Sequence, residues 1–223
     1  LLSLTLPEAD SAWLRDFSTG LGTVCTETGL PLVGGDTTRG PLAITVTVMG
    51  STPADQFMTR SGAESGDRLC VSGTPGDAAA GLEILKGDLS VADAAISATL
   101  AARFTRPVAH LTLGQTLRDI ASACIDISDG LLADAGHLAT CSGVAIEVDS
   151  SLLPLSDALC SVVDMQQAKD WALAGGDDYE LLFTLPCDTP LPVGCTQIGR
   201  VVSGSGISGD RVPERAGYDH FAH

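Results

Sequence analysis

The chain has 223 residues, 44% of them hydrophobic, and its 12 basic against 28 acidic residues give a formal net charge of −16. That length buries a full core as one large domain or two small ones, and no apolar run is long enough to span a membrane. The charge argues against nucleic acid and anionic membranes as partners, so a phosphate ligand would need a cation between it and the protein.

Residues 1–7 carry neither the basic flank nor the cleavage site of a signal peptide, which makes the cytoplasm the expected compartment. From there the apolar residues Trp13, Leu14, Phe17, Leu21, Val24 and Cys25 recur at three- and four-residue steps, predicting an amphipathic helix from Glu8 to about Thr28 that stops at Gly29. After the turn Val33-Gly34-Gly35-Asp36, the alternation over Leu42–Val48 predicts a strand with one covered face. Residues 51–65 read as a connector, with a domain boundary near Asp55. Beyond it a strand over Arg68–Ser72 runs into Gly73–Asp77 and a helix from Ala78. Helices are expected over Val91–Phe104, which Pro107 ends, and over Leu113–Ala123. A strand at Cys124–Ile127, a helix at Leu131–Thr140, and strands at Val144–Val148, Tyr179–Thr184 and near Ile198–Val202 complete an α+β (mixed α/β) pattern. The seven cysteines are odd in number, form no CxxC pair and mostly sit in apolar surroundings such as Leu69-Cys70-Val71. They are expected to be small buried hydrophobes in a reducing compartment, not disulfide or zinc partners.

Three segments could carry chemistry. Gly34-Gly35-Asp36-Thr37-Thr38-Arg39-Gly40 offers glycines for a close turn around a ligand and a hard carboxylate, though a turn capped by its own aspartate explains it equally well. Asp126-Ile127-Ser128-Asp129-Gly130 crowds carboxylates at a strand end where a helix begins, an arrangement suited either to a cation or to a helix N-cap. Gly175-Gly176-Asp177-Asp178-Tyr179-Glu180 places three acids within four positions, as a ligand site or as a solvated turn. The Gly73–Gly76 loop could bind an anion through its N–H groups or serve only tight packing. An EF-hand fails on ligand positions, no GxxxxGK[ST] loop is present, and Gly204–Gly209 fits GxGxxG but lacks a following helix and reads as a flexible loop. The four histidines show no metal-ligand spacing.

Taken together and in order, VGGDTTRGPL, MTRSGA, GDRLCVSGTPGDAAAGL, IDISDGLLADAGH, GGDDYELLFT and GYDHF resemble the thiamine-monophosphate kinase family from Leu1 to the end of the chain. That family lies in the superfamily of aminoimidazole ribonucleotide synthetase and selenophosphate synthetase. The resemblance implies a two-domain architecture, with residues 1–54 the remainder of an ATP-binding and dimerisation domain and 55–223 a C-terminal α/β domain. It also implies an incomplete N-terminal domain, because the family's front segment, with its Gly-Asp-Asp turn and Asn-Leu-Ser-Asp helix, is not in this sequence, and activity is in doubt without it. Asp36, Asp126 and Asp129 are implied as Mg²⁺ ligands; Gly35, Asp36, Arg60 and Ser128 as ATP contacts; and Asp177 and Tyr218 as contacts to thiamine monophosphate. The expected reaction is direct transfer of a phosphoryl group from ATP to thiamine monophosphate, in a protein that is a homodimer at full length. Another ATP-dependent enzyme of the superfamily, or an inactive nucleotide-binding module, remains as the alternative.

Overall fold

The structure, a computed structural model, describes residues 1–54, 56–211 and 217. The chain divides into two compact units, Leu1–Ala54 and Asp55–His223. In the first unit, the alternating leucines of β1 (Leu2–Leu6) place Leu4 and Leu6 on a buried side. Helix α1 (Ser11–Thr28) starts where the Asp10 carboxylate accepts the N–H groups of Ala12 (2.8 Å) and Trp13 (3.3 Å), and ends at Gly29 in a left-handed conformation. Strands β2 (Gly35–Arg39) and β3 (Ala43–Val46) flank β1, the former parallel and the latter antiparallel.

Two expectations change here. The segment from Gly35 is a strand and not only a turn, because it pairs with residues 2–6, a strand the turn residues around it hide. The strand at Ala43–Val46 has no covered face: as an edge strand it leaves Leu42, Ile44, Val46 and Val48 exposed.

The second unit is built on a six-stranded sheet of order β5-β7-β4-β8-β6-β9. Its strands are β4 (Arg68–Ser72), β5 (Ala123–Asp126), β6 (Ala145–Val148), β7 (Leu181–Leu185), β8 (Cys195–Val202) and β9 (Gly206–Gly209), all antiparallel to their neighbours except the parallel pair β6 and β9. Period-two alternation sorts the side chains by face. Leu69, Val71, Ile125 and Leu182 enter one core with Leu131, Leu132, Leu138 and Leu173 from helices α5 (Leu131–Ser142) and α7 (Met165–Ala174). Cys70, Phe183 and Leu185 point to the opposite face, against Leu113 and Leu117 of α4 (Leu111–Leu117). A third cluster of Ala80, Leu100, Leu159 and Ala168 joins α2 (Asp77–Lys86), α3 (Ala94–Thr105), α6 (Asp157–Val162) and α7. No described helix is long and apolar enough to cross a membrane.

The expected helix at Leu113–Ala123 ends early, at Leu117, because the Ser122 N–H already donates to the Thr184 carbonyl (2.9 Å) and starts the sheet edge. The glycine-rich loop after β8 is not loose. Its second half is β9, pinned by the pairing of Ile207 with Ile146. Helices α6 and α7 were not foreseen; Ser156 and Asp164 cap them by accepting the N–H groups of Leu159 (3.0 Å) and Gln167 (2.8 Å). All seven cysteines are free, but only Cys70 is fully buried, and Cys141, Cys160 and Cys187 are exposed on helix surfaces and a turn.

Phe183 is completely buried on a strand with neighbours on both sides. Phe183→Ala is expected to destabilise the unit by about 3–5 kcal/mol in urea or guanidinium titration, through lost burial and a residual cavity.

Candidate active site

Strand β5 ends at Asp126, and its antiparallel pairing with β7 continues past both strand ends. The Ile127 N–H donates to the Glu180 carbonyl (2.8 Å), the Tyr179 N–H to the Ile127 carbonyl (2.9 Å), and the Asp177 N–H to the Ser128 carbonyl (2.9 Å). The IDISDG and GGDDYE segments are thus laced together by their main chains. A side chain on Gly176 would meet the Ser128 carbonyl oxygen at 2.5 Å, so the glycine is required by this close approach.

Three buried carboxylates fix the two turns from behind. Asp134, on the first turn of α5, accepts the N–H groups of Ser128 (2.9 Å), Asp129 (3.2 Å) and Gly130 (3.2 Å) through one oxygen. Asp178 accepts those of Gly76 (2.8 Å) and Ala78 (3.3 Å) at the start of α2. The anion-binding potential of the Gly73–Gly76 loop is therefore met by the protein's own carboxylate. Glu180 receives the Ser72 hydroxyl, the Arg103 guanidinium, and His110 Nε2 at 2.6 Å. None of these three acids is legible as structural in the sequence, because burial is not readable from a DDYE string or from a lone aspartate in Leu-Ala-Asp-Ala.

Asp178 and Glu180 point inward, and the alternate residues Asp177 and Tyr179 face outward. Both of these have left-handed backbones, with φ of 64° and 51°. The Tyr179 hydroxyl donates to Asp177 Oδ1 (3.2 Å). Partial burial, followed by the charges of Asp177, Asp126 and Asp129, pushes its phenol above the usual range. Asp126, Asp129 and Asp177 therefore share one acidic rim. Among the described residues, none of the ion pairs uses any of them.

The other expected site residues are more scattered. Ser128 lies in the rim's turn, where its main chain holds the Asp134 and Asp177 bonds. Arg60 is exposed, and its carbonyl accepts from Ser142 Oγ (3.3 Å) at the C-terminal end of α5. Since α5 rises about 1.5 Å per residue, that end is well over 10 Å from the helix start beside Asp129. Asp36 is exposed on β2 in the first unit, where its Oδ1 accepts the Thr37 N–H (2.9 Å). Gly35 is explained locally, since a Cβ there would stand 1.9 Å from the Leu2 carbonyl oxygen. Tyr218 lies outside the described residues.

One histidine does fall among carboxylates: ligand atoms of Asp129, Asp134 and His137 lie within 4.8 Å of one another. Asp134 and His137 stand one helical turn apart on α5, a spacing that puts both on one helix face although the histidines show no metal-ligand spacing among themselves. Asp134 is largely occupied by its three N–H donors, and a nitrogen ligand suits softer cations than Mg²⁺. Asp126, Asp129 and Asp177 offer carboxylate oxygens, the hard donors that Mg²⁺ takes, and among the described residues none of the three is in an ion pair.

Residues 1–52 match the family described as AIR synthase related protein, N-terminal domain. The chain is 45% identical over 236 residues to the thiamine-monophosphate kinase of Escherichia coli strain K12, covering 99% of this chain and 73% of that one. It is also similar to the crystal structure of thiamine-monophosphate kinase from Stenotrophomonas maltophilia K279a, with TM-score 0.87, 42% identity, and coverage of 96% of this chain and 71% of that one. AaThiL complexed with AMPPCP and TMP gives TM-score 0.87 and 36% identity over 99% of this chain and 72% of that one. The chain belongs to the thiamine-monophosphate kinase family.

Burial raises the Asp178 carboxyl to about 7 from 3.8, against the lowering effect of its two N–H bonds and Arg103 and with a further push from Asp77. The folded state thus holds this proton more tightly than the unfolded chain, so Asp178's contribution to stability is full below pH about 4 and is lost as pH rises to about 7. Thermal melts from pH 4 to 8 are expected to show this loss, and Asp178→Asn to flatten that part of the profile.

Proposed function

We propose that this protein transfers the γ-phosphoryl group of ATP directly to the phosphate of thiamine monophosphate, giving thiamine diphosphate and ADP. The observation that carries the reading is the carboxylate rim of Asp126, Asp129 and Asp177, which the main-chain bonds between Ile127–Ser128 and Asp177–Glu180 hold together, in a chain similar to an enzyme complexed with AMPPCP and TMP. Asp126 and Asp129 in the second unit, and Asp36 in the first, are read as Mg²⁺ ligands. Gly35, Asp36, Arg60 and Ser128 are read as ATP contacts, and Asp177 and Tyr218 as contacts to the acceptor. Bound Mg²⁺ would supply the neutralisation that two phosphate-bearing substrates and a protein of charge −16 otherwise lack.

The residues of the rim have the remaining work of holding and orienting. Buried Asp134 fixes the main chain on which Ser128 and Asp129 ride, and the Glu180 and Asp178 anchors fix Asp177. An acceptor phosphate oxygen is already nucleophilic at neutral pH, so no general base is assigned. The reading includes a cytoplasmic homodimer at full length; the apolar residues Leu42, Ile44 and Val46, exposed on and beside β3, support an association surface there.

Asp126→Asn, Asp129→Asn and Asp36→Asn are each expected to lower kcat by about 100-fold or more while leaving the melting temperature within a few degrees. Calorimetry with AMPPCP should show nucleotide binding only with Mg²⁺, and rapid quench should show no phosphorylated enzyme. Unchanged turnover at saturating Mg²⁺ would remove the substituted residue from the metal site, and a phosphoenzyme would sink the direct mechanism.

A further inference from the structure

Among the described residues Tyr179 stands outside all three hydrophobic core clusters. Its neighbours Asp178 and Glu180 are buried and bonded, while Tyr179 itself is 40% exposed on a left-handed backbone that a tyrosine rarely adopts. Asp177, whose φ is also positive, carries the same kind of strain. Strain of this sort persists only where surroundings enforce it, and here the enforcement is visible in the Gly76 and Ala78 bonds to Asp178 and in the Ser72, Arg103 and His110 contacts to Glu180. The result is a ring presented outward, steadied by its hydroxyl bond to Asp177 and set among the charges of Asp126, Asp129 and Asp177.

An exposed aromatic face in an acidic field attracts one ligand chemistry above others: a flat, positively charged heteroaromatic ring, held by cation–π contact and by the nearby carboxylate. We propose that Tyr179 is a specificity-determining residue for the acceptor, forming with Asp177 a platform for its cationic ring. This rests on the reading of the acceptor as thiamine monophosphate, whose thiazolium ring carries a fixed positive charge. It goes beyond that reading in adding Tyr179 to the acceptor's contacts and in placing the acceptor's ring at the Asp177–Tyr179 edge.

The test is calorimetric titration of the protein with thiamine monophosphate in the presence of Mg²⁺ and AMPPCP, with AMPPCP affinity measured separately. Tyr179→Leu, which keeps apolar bulk without a π face, is expected to weaken thiamine monophosphate binding about tenfold with nucleotide affinity unchanged, whereas Tyr179→Phe stays within about threefold of the native protein. Native-like binding by Tyr179→Leu overturns the proposal. So does equal weakening in Phe and Leu, which assigns the effect to the hydroxyl, or parallel loss of AMPPCP affinity, which assigns it to the fold. If the native protein binds AMPPCP but not thiamine monophosphate, the acceptor reading itself fails, and that result is distinguishable from the others.

Discussion

The main-chain ladder between residues 127–128 and 177–180 is the constraint on which the site depends. It brings two acidic turns, some fifty residues apart in the chain, into one rim by extending the β5–β7 pairing beyond the last regular strand positions. Like charges a few ångströms apart near a protein surface repel by about 1–3 kcal/mol, so the carboxylates would not gather for their own sake. What holds them is the sheet: Ile125, Ile127 and Leu182 are buried directly behind the rim, and each contributes on the order of 1.5–3 kcal/mol by burial. The apolar face therefore sets the position of the polar one.

The same logic explains why the protein spends some of its acids internally. Asp134 and Asp178 occupy backbone N–H groups at the starts of α5 and α2, places where phosphates are bound in other folds. These carboxylates turn potential anion sites into rigid joints. The Gly73–Gly76 loop consequently acts as support for the GGDDYE turn.

Much of the second unit was legible because its strands obey a clean period of two and glycine or proline stands near the ends of several helices, while the side-chain cap of Asp93 marks the start of α3 but those of Ser156 and Asp164 did not reveal α6 and α7. The acidic turns were legible as chemistry only through their joint resemblance to a family, since any one of them also suits a capped turn. Other features depended on contacts far along the chain. Strand β2 is a strand only because Leu2–Leu6 lies beside it, and β9 only because β6 does. The early end of α4 follows from a bond to Thr184 that lies on another strand. The division of labour within Asp177-Asp178-Tyr179-Glu180, outward and inward by turns, needs two positive φ values that nothing in the residue types announces.

What each acid bonds to within the fold separates structural acids from functional ones more sharply than their sequence neighbourhoods do: Asp134 and Asp178 are held by backbone N–H groups and Glu180 by Arg103 and His110. Basic residues are scarce, and several are committed: Arg103 to Glu180, Arg200 to Glu147, and Arg211 to Asp170. A bidentate contact such as that of Arg211, with both bonds at 2.6 Å, satisfies its carboxylate within the fold. Asp126, Asp129 and Asp177 receive no such partner among the described residues, although the fold holds them rigidly together. Rigid gathering without neutralisation is unfavourable for the protein alone and becomes favourable once a cation arrives from outside, which is why acids gathered at one strand end, and not acids spread singly over the surface, mark the site.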